Sequence, residues 1–289
     1  MRKAIIDIGT NSIRLIVADC QEQVQVCYSA IEITRIGEGM GSEHILKPEP
    51  LARTCQVAAE YAQKARAMEA EIIKMTATSA IREARNQLVA AQALMEAAQV
   101  PLTILSGTQE AELSYKGAAL DFQKVGQALA VLDIGGGSTE LVYESPEGLS
   151  KASVAVGAVR LQEDAALAAQ LPILLQPLLT KALPKPLTLV GVGGTITSLA
   201  AMDQQLAVYS QERVHGYLLS AAAVQKWLDR LQGMPLAERQ TLPGLMPKRA
   251  DIIDQGALIL QAVLRLLQQT ELIVSDKDLL YGLLAEDEY

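Results

Sequence analysis

The sequence predicts an α/β protein of two related domains, each a mixed sheet flanked by helices, around one shared cleft. Three observations predict it. β-Branched runs open each half of the chain, helices and strands then alternate, and the opening unit occurs twice.

In the first half, "KAIIDIG", "SIRLIVADC" and "VQVCYSAIEITRI" are poor in helix formers, and polar or Gly-containing breaks separate them. They read as three antiparallel strands. "PEPLARTCQVAAEYAQKARAME" starts on proline and continues as an Ala-rich helix. "EIIKMTAT" reads as a buried strand, "SAIREARNQLVAAQALMEAAQ" as one helix, "LTILS" as a strand and "GTQEAELSYKGAAL" as a helix. That alternation predicts parallel strands covered on both faces. The pattern restarts with "ALAVLDIGGG", "STELVYES" and "LSKASVAVGA" as three strands. "PLTLVGVGGTITSLAAM" is a strand, a glycine turn and a helix, and "ADIIDQGALILQAVLRLLQQ" is an amphipathic helix. "ELIVSD" is a strand and "LLYGLLAED" a closing helix, while the Pro-rich "LPILLQPLLTKALPKP" reads as helix with Pro-marked ends. The predicted domains are 1–122 and 123–289, with the closing helix a candidate to pack back on the first.

The repeat can be written residue by residue. "IDIGTNSIRLIV" (6–17) sets against "LDIGGGSTELVY" (132–143), with Asp7 over Asp133, Gly9 over Gly135 and Ser12 over Ser138. Arg14 falls over Glu140, so one position carries opposite charges in the two copies.

Bulk properties narrow the function classes. At 289 residues the chain is long enough for two ordinary domains. Half of the residues are hydrophobic, but with one Phe and one Trp the cores must be built from Ala, Leu, Ile and Val. A net charge of −8 argues against broad nucleic-acid or acidic-membrane binding, so an anionic substrate needs a local pocket of positive charge. Cys20, Cys27 and Cys55 show no CxxC spacing and read as reduced thiols of a cytoplasmic protein. Asp7 interrupts the first apolar run too early for a signal peptide, and no apolar stretch reaches the roughly 18 residues of a membrane span.

The glycines suggest phosphate chemistry. Bare backbone at Gly135, Gly136 and Gly137, followed by Ser138, lets phosphate oxygens approach main-chain N–H groups. A carboxylate cannot itself favour phosphate, so Asp7 and Asp133 suit Mg²⁺ or its water, or else simple Asp turns. Gly193, Gly194 and Thr195 precede a helix, so they place a helix N-terminus at the cleft or form a turn capped by Thr195. Arg82 falls in the first turn of the helix predicted from Ser79, where the dipole disfavours a cation. It either faces an anion or pairs with Glu83 or another acid. Ser106 and Gln109 form a capping box, with Glu110 either a dipole-stabilising acid or a base for water. His44 and His215 are too isolated for a metal cluster; a turn role suits His44, and a phosphate contact is open to His215.

Taken together, "DIGTNSIRLIVAD", "TATSAIREA", "SGTQEAELSYKG", "LDIGGGSTELV", "GVGGTITSLAA", "RVHGYLLS" and "RADIIDQGALIL" carry a resemblance. The chain resembles the exopolyphosphatase and guanosine pentaphosphate phosphohydrolase family, within the actin-like (ribonuclease H-like) ATPase superfamily, in its short two-domain form. The resemblance implies Glu110 as catalytic base and Arg82 as a phosphate-facing arginine. It implies Asp133 and Glu140, with Asp7, as carboxylates for Mg²⁺. Asn11, Ser12, Gly135 to Ser138, and Gly193, Gly194 and Thr195 become phosphate loops. It further implies a homodimer that hydrolyses polyphosphate, or alternatively guanosine pentaphosphate, or that binds such anions without turnover. A kinase of the same superfamily is a further rival. Near the C-terminus the family pattern S-D-x-G-L-R-E-G is replaced by "SDKDLLYG", so Asp278 stands for a Gly and Leu280 for an Arg.

Overall fold

The β-branched runs form the strands they predict. The computed structural model describes residues 1–21, 24–122 and 127–286. β1 (Arg2–Ile8), β2 (Ile13–Cys20) and β3 (Val24–Glu32) are antiparallel neighbours, while β4 (Ile72–Ala77) and β5 (Leu102–Ile104) continue the sheet in parallel beyond β1. The order is β3-β2-β1-β4-β5. From Lys3 to Ile8 β1 is buried on both faces, whereas β3 alternates at the edge, so the "AIIDI" run belongs to the centre of the sheet. Helix α1 (Pro48–Ala67) packs small residues, Ala58, Ala62 and Ala65, into the core with Ile6, Ile8, Leu15 and Met75. Their spacing of four and three puts them on one helix face.

The helix expected over 79–99 is two. α2 (Ser79–Glu83) ends where Ala84 turns extended (ψ 132°), and α3 (Gln87–Ala98) starts afresh. Long-range bonds account for the break. The Arg85 N–H donates to His44 O (2.7 Å), and the Asn86 carboxamide bonds both the N–H and the carbonyl of Leu46 (3.0 Å each). α4 (Gly107–Phe122) follows as predicted.

The second sheet repeats the first. β6 (Ala128–Ile134), β7 (Thr139–Ser145) and β8 (Gly148–Val154) are antiparallel, and β9 (Leu187–Val192) and β11 (Glu271–Val274) extend it in parallel. The short β10 (Leu218–Ser220) adds an antiparallel edge, giving β10-β11-β9-β6-β7-β8. Without β10 the order β8-β7-β6-β9-β11 matches that of the first sheet strand for strand. The helices here are α5 (Ala158–Glu163), α6 (Leu171–Leu174), α7 (Gly194–Asp203), α8 (Gln211–Val214), α9 (Ala221–Gln232), α10 (Leu236–Arg239) and α11 (Ile253–Leu267). The Pro-rich stretch is more broken than predicted. Pro172 sits second in α6 and Pro177 second in a 3-10 turn over Gln176–Leu178, each in a first turn where a backbone N–H has no intrahelical partner to lose.

The chain divides into two compact units, Met1–Glu110 with Leu280–Tyr289, and Ala111–Leu279. The division expected after residue 122 falls at 123–126, outside the described residues. By packing it falls within α4, and the helix stripe gives the reason. Ala111, Tyr115, Ala118 and Phe122 pack with Leu129, Val131, Val142, Val190 and Val192 of the second sheet. In the first unit the closing helix α12 (Leu279–Ala285) ends against the buried Lys3, whose Nζ donates to Leu284 O (3.3 Å) and Glu286 O (2.9 Å).

Candidate active site

The two Asp-x-Gly hairpins have one geometry and opposite electrostatics. In each, the glycine N–H donates to the serine carbonyl three residues on: Gly9 to Ser12 (2.9 Å) and Gly135 to Ser138 (3.0 Å). Asp7 stands opposite Arg14 in the first, and Asp133 opposite Glu140 in the second. Arg14 Nη2 closes an ion pair on the buried Asp7 (2.8 Å), and Thr76 Oγ1 donates to the other oxygen (3.3 Å). The second hairpin instead sets two carboxylates side by side. Ser114 Oγ donates to Asp133 (2.8 Å) and Ser153 Oγ to the fully buried Glu140 (2.7 Å). Like charges directly opposite each other weaken a strand pair, so this placement favours a cation.

The donor set suits Mg²⁺. Asp133 and Glu140 offer hard oxygen atoms, the ligand type that magnesium takes. One or two carboxylates, completed by water and substrate oxygens, is the usual magnesium pattern. Asp7 has its charge compensated by Arg14 within its own hairpin.

The third glycine loop lies against Asp133. Gly193, at φ +88°, is the N-cap of α7, and a Cβ there would sit 2.6 Å from Asp133 Oδ1. A side chain is excluded by both conformation and space. The cap is therefore Gly193 and not Thr195, which is buried inside the first turn. A Cβ on Gly194 would lie 2.5 Å from Arg249 Nη2, so that guanidinium rests on bare backbone at the helix N-terminus. Sequence reasoning passes over Arg249, although it opens the quoted "RADIIDQGALIL"; a cation just ahead of an apolar helix was the available signal. In the first unit, Asn11 is buried with neither carboxamide atom hydrogen-bonded, which fits a loop whose partner is a ligand or water. Ser12 closes that loop as Ser138 closes the second.

Glu110 and Arg82 meet within the first unit. Arg82 Nη1 donates to Glu110 Oε2 (2.8 Å) and to Leu105 O (2.9 Å), with 20% and 12% of the two side chains exposed. The capping box is formed: Gln109 Oε1 accepts from the Ser106 N–H (2.9 Å), and Ser106 Oγ from the Gln109 N–H (3.2 Å). It fixes the first turn of α4 and so the direction of Glu110. Because α2 stops at Glu83, Arg82 sits in the last turn of a five-residue helix, where its charge meets Glu110. Glu83 takes Ser79 Oγ (2.9 Å) instead.

His215 is tied up elsewhere. Its Nδ1 accepts from the Asp276 N–H (3.3 Å), its Nε2 faces Asp121 (3.3 Å), and its ring tilts against Phe122. Burial, opposed by Asp121, holds its pKa below the ordinary histidine value. Asp278, the replacement for a family glycine, is buried, as is Leu280.

The Ppx/GppA phosphatase family matches residues 15–288. The chain is 34% identical to Exopolyphosphatase 2 of Mycobacterium tuberculosis, over 98% of this chain and 97% of that one. It is 28% identical to the guanosine-5'-triphosphate,3'-diphosphate pyrophosphatase of Vibrio vulnificus, over 98% of this chain but 58% of that protein. Among solved structures, the Aquifex aeolicus PPX-GPPA enzyme superposes with a TM-score of 0.80 at 29% identity, covering 99% of both chains.

Proposed function

We propose that this chain, which belongs to the Ppx/GppA phosphatase family, is an exopolyphosphatase that hydrolyses the terminal phosphoanhydride of inorganic polyphosphate. One observation carries the reading: the likeness to Exopolyphosphatase 2 of Mycobacterium tuberculosis runs end to end in both chains. Guanosine pentaphosphate ranks second, because the Vibrio relative is matched over 58% of its length.

In the reaction, the oxygen of water bonds to the terminal phosphorus as the bridging P–O bond breaks, and orthophosphate is released. Glu110 orients that water and takes its proton. Arg82 fixes the Glu110 carboxylate and turns the rest of its guanidinium fork to the phosphoryl oxygens. Main-chain N–H groups of Gly136, Gly137 and Ser138, and those opened by Gly193, Gly194 and Thr195, receive phosphate oxygens. Asn11 and Ser12 do the same in the first unit. Asp133 and Glu140 would hold Mg²⁺, which would supply charge neutralisation of the phosphates. A homodimer in the cytoplasm completes the proposal. Family resemblance supports the dimer, and the free thiols of Cys20, Cys27 and Cys55 support the compartment. Among the described residues no helix is long and apolar enough to cross a membrane.

The test is phosphate release from long polyphosphate, short polyphosphate and guanosine pentaphosphate, each with Mg²⁺. The reading expects the highest kcat/KM on polyphosphate. Cleavage of the nucleotide alone would install the second reading, and tight binding without turnover would make the protein a sensor.

A further inference from the structure

The carbonyls of the second glycine loop are all drawn to one side. The Ala158 N–H donates to Gly135 O (3.0 Å), and the Val159 and Arg160 N–H groups donate to Gly136 O (2.8 and 3.2 Å). Arg160 Nε then donates to Gly137 O (3.0 Å). Three successive loop carbonyls are thus held by residues 158–160. In a trans peptide the C=O of one residue and the N–H of the next point in opposite directions. Pulling these three carbonyls toward α5 therefore turns the N–H groups of Gly136, Gly137 and Ser138 the other way, as a concave set of donors.

Glycine makes the approach close enough. A Cβ on Gly157 would lie 2.5 Å from Gly137 N and nearer still to the carbonyl of Gly136, although its φ of −147° is open to any residue. The first unit repeats the device at the equivalent place. The Gly37 N–H donates to Thr10 O (3.1 Å) and the Arg35 N–H to Asn11 O (2.9 Å), while a Cβ on Gly37 would lie 2.5 Å from Thr10 Cγ2. Thr10 and Gly136 are the same position of the repeat. Both units thus fasten the loop between their first two strands with the segment that follows the third. In the second unit the side chain of Arg160 takes part in that fastening.

We propose that Gly157–Arg160 is a clamp that aims the glycine-loop amides at phosphate oxygens, and that Arg160 is a positioning residue acting through Gly137 O. The inference rests on the phosphate-loop reading given above. A run of three glycines is permissive in φ and ψ, so without the clamp its peptides rotate and the donors lose their common direction. Holding them in advance removes that ordering cost from binding. A lysine at 160 can still donate to Gly137 O; a methionine fills similar space and donates nothing.

The probe is inorganic phosphate. ¹⁵N-glycine-labelled protein is titrated with orthophosphate, following the amide signals of Gly136 and Gly137, for the wild type, Arg160→Lys and Arg160→Met. The expected result is saturable shifts in the wild type, a Kd within threefold in Arg160→Lys, and one raised tenfold or more in Arg160→Met. Steady-state polyphosphate hydrolysis in the same variants should show the change in KM more than in kcat. Unaltered phosphate binding in Arg160→Met, or glycine amides that ignore phosphate in the wild type, overturns the clamp. So does a methionine variant that merely melts early while binding phosphate normally. Failure of the functional reading looks different: the wild-type glycine amides respond to orthophosphate, yet no phosphate is released from polyphosphate.

Discussion

Substituting Gly157 by Ala drives a single new atom against the backbone of the glycine loop, at the Gly136 carbonyl and Gly137 N. An added Cβ meets Gly137 N at 2.5 Å, where ordinary contact begins at 3.4 Å, so the shortfall is about 0.9 Å. The neighbours are backbone atoms of the glycine loop and cannot rotate away as a side chain would. Over-packing of this kind costs about 1–3 kcal/mol. Alanine suits φ −147° and restricts the unfolded chain, which returns about 0.4–1 kcal/mol. At mid-range a net loss of about 1 kcal/mol remains, readable as a lower urea midpoint, together with a higher KM for polyphosphate as the loop shifts. Gly233→Ala is the matched control. Its Cβ meets nothing within 4 Å and its φ is −89°, so it should leave KM unchanged and stability equal or up to about 1 kcal/mol higher. If Gly157→Ala unfolds at the wild-type midpoint with the wild-type KM, the close approach of α5 to the loop is not what holds the site.

Two further outcomes are expected. Asp133→Asn and Glu140→Gln should each raise the Mg²⁺ concentration for half-maximal hydrolysis at least about tenfold, the effect of losing one of two carboxylate ligands; activity titrated against Mg²⁺ measures it. His215 should make stability fall in mild acid. Burial holds its folded pKa down, against the pull of Asp121 and Asp276, so below about pH 6.5 the unfolded chain takes the proton first. Its contribution is complete above about pH 7 and declines as pH falls toward the lowered folded value. Melting temperatures from pH 7.5 to 5 should show this in the wild type, and less of it in His215→Gln.

What the sequence discloses is what lies near in the chain. The duplicated unit was legible because Asp-x-Gly and the position pairing Asp7 with Arg14 recur at one spacing, and strand register reproduces that pairing. The capping box at Ser106 is a three-residue affair and reads directly. The break between α2 and α3 does not, because it depends on Asn86 reaching Leu46, forty residues away. Arg82 meets Glu110 across twenty-eight residues, so local sequence left open which acid it pairs with. Arg160 acts by a guanidinium bond to a carbonyl, which no residue pattern marks. α9 did carry a readable signal: Ser220 caps it, and Val224, Trp227, Leu228 and Leu231 share its buried face.

In the proposed reaction Glu110 takes the proton of the attacking water in polyphosphate hydrolysis. The most direct measurement of that step is orthophosphate release from long polyphosphate by Glu110→Ala beside the wild type, with polyphosphate binding measured on both. Removing a general base predicts a fall in kcat of about 10²–10⁴ with binding retained. Wild-type turnover in Glu110→Ala would show that Glu110 is not the base.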